Sequence, residues 1–130
     1  MSEIDASEHG QLDSSIPESL AVLQLRNSVV YPYMPQQLTA SRAHSIQAVE
    51  AASGNGDFIA IFAQRDPDVE RPVGTDLYGV GAIAKIHKVW RMPDGSMRLI
   101  VQGIDRAELG EVMHDEPYMR ATVRSLADEG

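Results

Sequence analysis

No cysteine occurs among the 130 residues, which excludes a disulfide framework, a thiolate nucleophile and any cysteine-ligated zinc. The absence agrees with a reducing compartment, and cytoplasm is the expected location. Lysine is nearly absent too, limited to Lys85 and Lys88, and 11 Lys and Arg stand against 19 Asp and Glu for a net charge of -8. A chain so poor in cations is not expected to grip a phosphate backbone, which depends on clustered Lys and Arg. No apolar run is long enough to span a bilayer, so no membrane partner is expected. The N-terminus has Glu3 and Asp5 where a signal peptide would be basic and then apolar, so export is not expected. With 43% hydrophobic and 23% charged residues, the composition is that of one ordinary soluble domain.

Several kinds of chemistry are missing as well. A phosphate-binding loop needs a glycine-rich turn followed by Lys and Ser or Thr ahead of a helix. Neither Gly54-Asn55-Gly56 nor Gly79-Val80-Gly81 has that sequel; the first reads as a helix stop and the second as close backbone packing within a strand. Neither lysine stands by a serine in a way that suggests an activated nucleophile. Asp66, Asp68 and Glu70 alternate like the first ligands of a calcium loop, but Arg71 occupies the place of the turn glycine and no distal glutamate follows. They read as a solvated acidic loop. His9, His44, His87 and His114 lack metal-ligand spacing. No catalytic residue, metal or cofactor is therefore expected in this chain, and Arg26 is expected to pair with a carboxylate of its own domain.

What remains is a β pattern. Residues 1–18 hold five of the carboxylates, Glu3, Asp5, Glu8, Asp13 and Glu18, with no Lys or Arg before Arg26 and only Ile4 and Leu12 as well-separated aliphatics through Asp13. Too little apolar area is available there to offset the entropy of ordering, so these residues read as a disordered acidic leader. Residues 19–127 read as one domain and 128–130 as a truncated C-terminal end. Leu20 to Leu25 suggests a strand. Pro32 and Pro35 bracket Tyr33-Met34, which predicts a loop or sheet edge, with a strand resuming over 36–40. Ser41 is the predicted N-cap of a helix over about 42–53, with Ala43, Ile46, Val49 and Ala52 as its apolar stripe. The apolar run 58–63 predicts a central strand buried on both faces, and 64–77 an exposed loop. Strands over 78–91 and 96–104 flank Met92-Pro93-Asp94-Gly95, a hairpin turn by composition. Further strands are expected near 106–113 and 119–126. The sum is a mainly β fold with one short helix and six or seven short strands, a barrel or sandwich.

Three segments together resemble one family. Leu23-Gln24-Leu25-Arg26-Asn27-Ser28-Val29-Val30-Tyr31-Pro32 is similar to the opening strand and turn of the N-terminal domains of the ATP-dependent Lon proteases. Ala63-Gln64-Arg65-Asp66-Pro67-Asp68-Val69-Glu70 resembles the loop after their central strand, and Asp76-Leu77-Tyr78 through Arg106-Ala107 their hairpin. Tyr33, Ala82 and Gln102 depart from the family's usual glycine, threonine and glutamate. The resemblance implies a pseudo-barrel of PUA-like type. It also implies a whole protein that continues into helical, ATPase and serine-lysine protease modules, so that ATP and magnesium belong to the absent ATPase.

On that footing the expected role is recognition of unfolded, damaged or degron-bearing polypeptides and help in organising a hexamer. The alternatives are a free-standing adaptor of the same fold or an RNA-binding module. Tyr31, Tyr33 and Met34 in the proline-bracketed segment, with Trp90, Met92 and Met97 around the hairpin tip, are the candidate substrate contacts, because Met and aromatic side chains adapt to varied apolar partners.

Overall fold

A computed structural model describes residues 16–26, 33–54, 56–70 and 72–126. Of the expectations above, those on residues 1–15, Tyr31 and 128–130 lie outside the described residues. Six strands and one helix follow in the order β1 (Ser19–Leu25), β2 (Pro35–Ala40), α1 (Ala43–Ser53), β3 (Phe58–Ala63), β4 (Val80–Arg91), β5 (Met97–His114) and β6 (Met119–Ser125). They form one mixed sheet in the order β2-β5-β4-β3-β1-β6, and an additional β5–β6 pairing closes β1, β3, β4, β5 and β6 into a ring. All the pairings are antiparallel except β1–β3, which is parallel with Val22 opposite Ala60.

Alternation along each strand sends side chains to two different cores. Leu20, Val22, Ala60, Phe62, Ile83, Ala107, Met119 and Ala121 fill the ring. Ala21, Leu23, Leu25, Ile59, Ile61, Ala84, Ile86, Leu99 and Val101 lie on the opposite face, beneath α1 and joined by Leu38 and Ala40 of β2. β3 is thus buried on both faces near the middle of the sheet, as its uninterrupted apolar run predicts. The ring is tight where β4 crosses β3. A Cβ on Gly81 would meet the Ile61 carbonyl oxygen at 2.2 Å, so the glycine serves close strand packing there.

The structure differs from the sequence reading in four places. The two strands expected at 96–104 and 106–113 are one 18-residue strand, β5; Gly103 and Asp105 lie inside it without making a turn, and its bend is taken up by a register shift in which Ile83 faces Asp105 and Ala84 faces Gly103. The N-cap is Arg42 and not Ser41, and it has no side-chain cap bond. The Arg42 guanidinium instead donates to the carbonyls of Gln24, Val69 and Glu70, so a tertiary anchor fixes where the helix begins. The buried stripe of α1 is His44, Ser45, Ala48, Val49 and Ala52, with Ala43 exposed; the small residues let the helix sit close on the sheet. The 64–77 connection is exposed at 65–68 but anchored, with Gln64 and Leu77 buried and bridged to one another.

Candidate functional site

β4 and β5 run on past the closed ring, where β2 joins them on the far side of β5. There the sheet face that would be ring interior opens outward. Facing residues on adjacent strands share a side, so the registers specify this face: Pro35, Gln102 and Lys85 form one row, Gln37, Ile100 and Lys88 the next, and Thr39, Arg98 and Trp90 the last. The opposite face of the same three strands carries Leu38, Ala40, Ile86, Leu99 and Val101, packed under α1.

A bulge makes the arrangement possible. Lys85 and Lys88 are three residues apart and would point to opposite sides of a regular strand. The extra residue His87, between Ile86 opposite Val101 and Lys88 opposite Ile100, turns Lys88 and then Trp90 onto the open side. His87 Nε2 donates to Gln102 Oε1 at 2.9 Å, and Gln102 Nε2 donates to the Tyr33 carbonyl at 3.1 Å. The Tyr33 amide in turn donates to Gly103 O at 3.0 Å. Tyr33 takes a left-handed backbone, φ 64°, unusual for a bulky residue, and these bonds hold it at the edge of the face.

The proline-bracketed segment and the hairpin, far apart in sequence, therefore lie at two ends of one surface. Tyr33 is 67% and Met34 61% exposed at one end; Trp90 is 38% exposed at the other. From the Gln102 row to the Arg98 row is four residues of β5, about 13 Å at the usual rise per residue. Met92 is half-buried at the turn, where its amide donates to Ser96 O at 2.8 Å. Met97 differs from the expectation: at 7% exposure it belongs to the core under α1, because its place in β5 puts it on the side of Leu99 and Val101. It supports the hairpin from beneath.

The hairpin tip is held electrostatically. Ser96 donates both its hydroxyl and its amide to Asp94 Oδ1, at 2.7 and 2.9 Å, and these bonds, the hydroxyl's first, hold the Asp94 carboxyl below the usual carboxylate range. Gly95 takes φ 92°, the left-handed turn position expected of it. At the far end of the ring, burial, and then the charge of Arg26, lower the Arg42 pKa. Arg26 pairs with Glu70 at 3.0 Å, the domain carboxylate expected of it.

Val73, within the loop expected at 64–77, and Tyr78, Val80 and Met113 are further exposed apolar residues that the sequence reading did not single out as contacts; nothing in local composition separates the last three from strand core. No group of three or more possible metal ligands occurs among the described residues. No helix among them is long and apolar enough to cross a membrane.

Residues 19–129 match the family described as "ATP-dependent protease La (LON) substrate-binding domain". The chain is 42% identical over 113 residues to the Lon protease of Lawsonia intracellularis, covering 87% of this chain and 14% of that protein. It is 35% identical over 117 residues to the Lon protease of Flavobacterium johnsoniae, covering 90% and 14%. It thus spans only about one seventh of these relatives. Two solved structures share the fold: the Lon N-terminal domain protein from Xanthomonas campestris, at TM-score 0.61 and 16% identity over 82% of this chain and 59% of that one, and the N-terminal domain of the Mycobacterium avium complex Lon protease, at TM-score 0.57 and 21% identity over 82% and 54%.

Proposed function

The chain belongs to the ATP-dependent protease La (LON) substrate-binding domain family, and from that premise we propose that it holds unfolded or degron-bearing polypeptides on the open face of β2, β5 and β4. Hydrolysis of ATP and of peptide bonds, with the magnesium that ATP requires, falls to other modules of the whole protein, which works as a cytoplasmic hexamer that this domain helps to organise. The observation that supports the reading is the exposure of Trp90 on the open face and of Tyr33 and Met34 at its opposite edge, from segments more than fifty residues apart in sequence. Monomeric domains seldom expose such residues together without a partner. Met and aromatic side chains suit clients of varied sequence. Each contact is weak, and six copies in a ring multiply the effective concentration of such sites.

Trp90 is the single tryptophan of the chain, so its emission reports on the face directly. An unfolded peptide without tryptophan should shift that emission saturably, and chemical-shift mapping should place the perturbed amides at 33–39, 85–92 and 96–102. Serine at Tyr33, Met34 and Met92 should weaken binding several-fold while the residual affinity persists at high salt. Perturbation confined to Arg65 and Arg120 and abolished by salt would refute apolar recognition.

A further inference from the structure

The open face has a charge unlike the rest of the molecule. The chain carries -8 overall, yet the nine positions in the three rows include both of its lysines, Lys85 and Lys88, together with Arg98, and no carboxylate. Arg91 contributes nothing there: it faces Met97 on the other side of the sheet and pairs with Glu50 at 2.6 Å. Asp94 at the hairpin tip feels the charge of Arg98 but is bonded to Ser96. The lysine ammonium groups rest on rings, Lys88 Nζ 5.2 Å from the centre of Trp90 and Lys85 Nζ 4.9 Å from that of Phe58. Cation and ring are thus presented as one unit, and Ile100 supplies apolar area between them.

We infer that this face selects, among extended polypeptides, those in which an aromatic or aliphatic residue is flanked by Asp or Glu. The inference rests on the reading of the face as a polypeptide site and adds the class of segment it prefers. The apolar residue of the client packs on Ile100 beside Trp90, and its acidic neighbours reach Lys85, Lys88 and Arg98. The rows span about 13 Å along β5, the length of about four extended residues, so one apolar residue with a carboxylate on either side fits. A single-stranded nucleic acid also suits cations and rings on a sheet, but three cations in a chain of -8 neutralise few phosphates, and the polypeptide is the better match.

The test compares three labelled twelve-residue peptides with the same central Phe-Leu pair, flanked by Glu, by Gln or by Lys, titrated into the 130-residue chain at low and high salt. The Glu-flanked peptide should bind about three- to tenfold more tightly than the Lys-flanked one at low salt, as two or three exposed ion pairs give, and the ratio should fall toward one at high salt. Lys88→Glu with Arg98→Glu should abolish or invert the preference without lowering the melting temperature, since both side chains are exposed. The neutral pair Lys88→Gln and Arg98→Gln should bring the ratio of Glu-flanked to Lys-flanked binding close to one already at low salt. Equal binding of acidic and basic flanks at low salt overturns the inference and leaves the polypeptide site standing. Failure of all three peptides to bind removes the polypeptide site itself. An oligonucleotide that displaces the Glu-flanked peptide and binds more tightly than it does assigns the face to nucleic acid instead.

Discussion

Replacing Gly81 by alanine tests how the ring holds the open face in place. The added Cβ would lie 2.2 Å from the Ile61 carbonyl oxygen and 2.7 and 2.9 Å from the Cδ2 and Cγ atoms of Phe62. The first neighbour is backbone of the adjoining strand and the second is a ring with no exposure at all, so neither can swing aside. The β3–β4 ladder must part near Ile61 and Ala82, which face each other. Overpacking typically costs about 1–3 kcal/mol, and a contact that displaces ladder backbone by about 1 Å belongs at the upper end, about 3 kcal/mol. At about 4 °C per kcal/mol for a domain of this size, the melting temperature should fall by about 12 °C. Gly79→Ala is the internal control: nothing lies within 4 Å of its Cβ position and its φ is not left-handed, so the change should be neutral or stabilise by up to about 1 kcal/mol through the unfolded chain. Thermal and urea unfolding followed by circular dichroism and by Trp90 emission would measure both. Equal shifts for the two variants, or a fall of less than about 4 °C at Gly81, would show that the ring yields and that its tightness does not fix the sheet.

Arg42→Met removes three guanidinium bonds to the carbonyls of Gln24, Val69 and Glu70 while keeping the apolar stem. A loss of about 2 kcal/mol in urea unfolding is expected for charged hydrogen bonds of this kind, with faster amide exchange over 64–70; unchanged exchange would mean that Gln64 and His44 anchor the connection without it. At Asp94 the folded pKa lies below the unfolded value, so its contribution is present above the ordinary Asp pKa of about 3.9 and is lost as pH falls through the lower, folded value. The Ser96 amide resonance should therefore stay constant from pH 5 to 8 and move only below about pH 4, and a midpoint at or above the ordinary value would contradict the turn described.

Much of the architecture is legible in residue order, because burial and turn chemistry act locally. The uninterrupted run from Phe58 to Ala63 marks a strand covered on both faces, and Met92-Pro93-Asp94-Gly95 marks the hairpin. The misses share a cause in tertiary contact. Ser41 is a better cap than Arg42 by local preference, yet three distant carbonyls decide the matter. Met97 looks like a loop-flanking contact residue, and only the register of β5 shows it facing the helix. The basic character of the site is hidden most completely: eleven cations look scattered along the chain, and a single bulge residue, His87, brings both lysines to one side. A period of two cannot reveal that, since an inserted residue reverses the period beyond it.

The β1–β6 ladder sets Ser19 opposite Thr122 and Val22 opposite Met119, while the other neighbour of β1 is β3, with Val22 opposite Ala60. Of the six strands β1 leaves the ribosome first, and it gains its second partner only when β6, the last of them, emerges. Until β6 emerges, its edge is open and the apolar side chains Leu20 and Val22 lack the strand that completes the ring around them. Pairings this distant in sequence are slow to form, and an unpaired apolar edge is a template for association with another chain. A domain whose family binds protein substrates thus passes, for most of its own synthesis, through a state that resembles one.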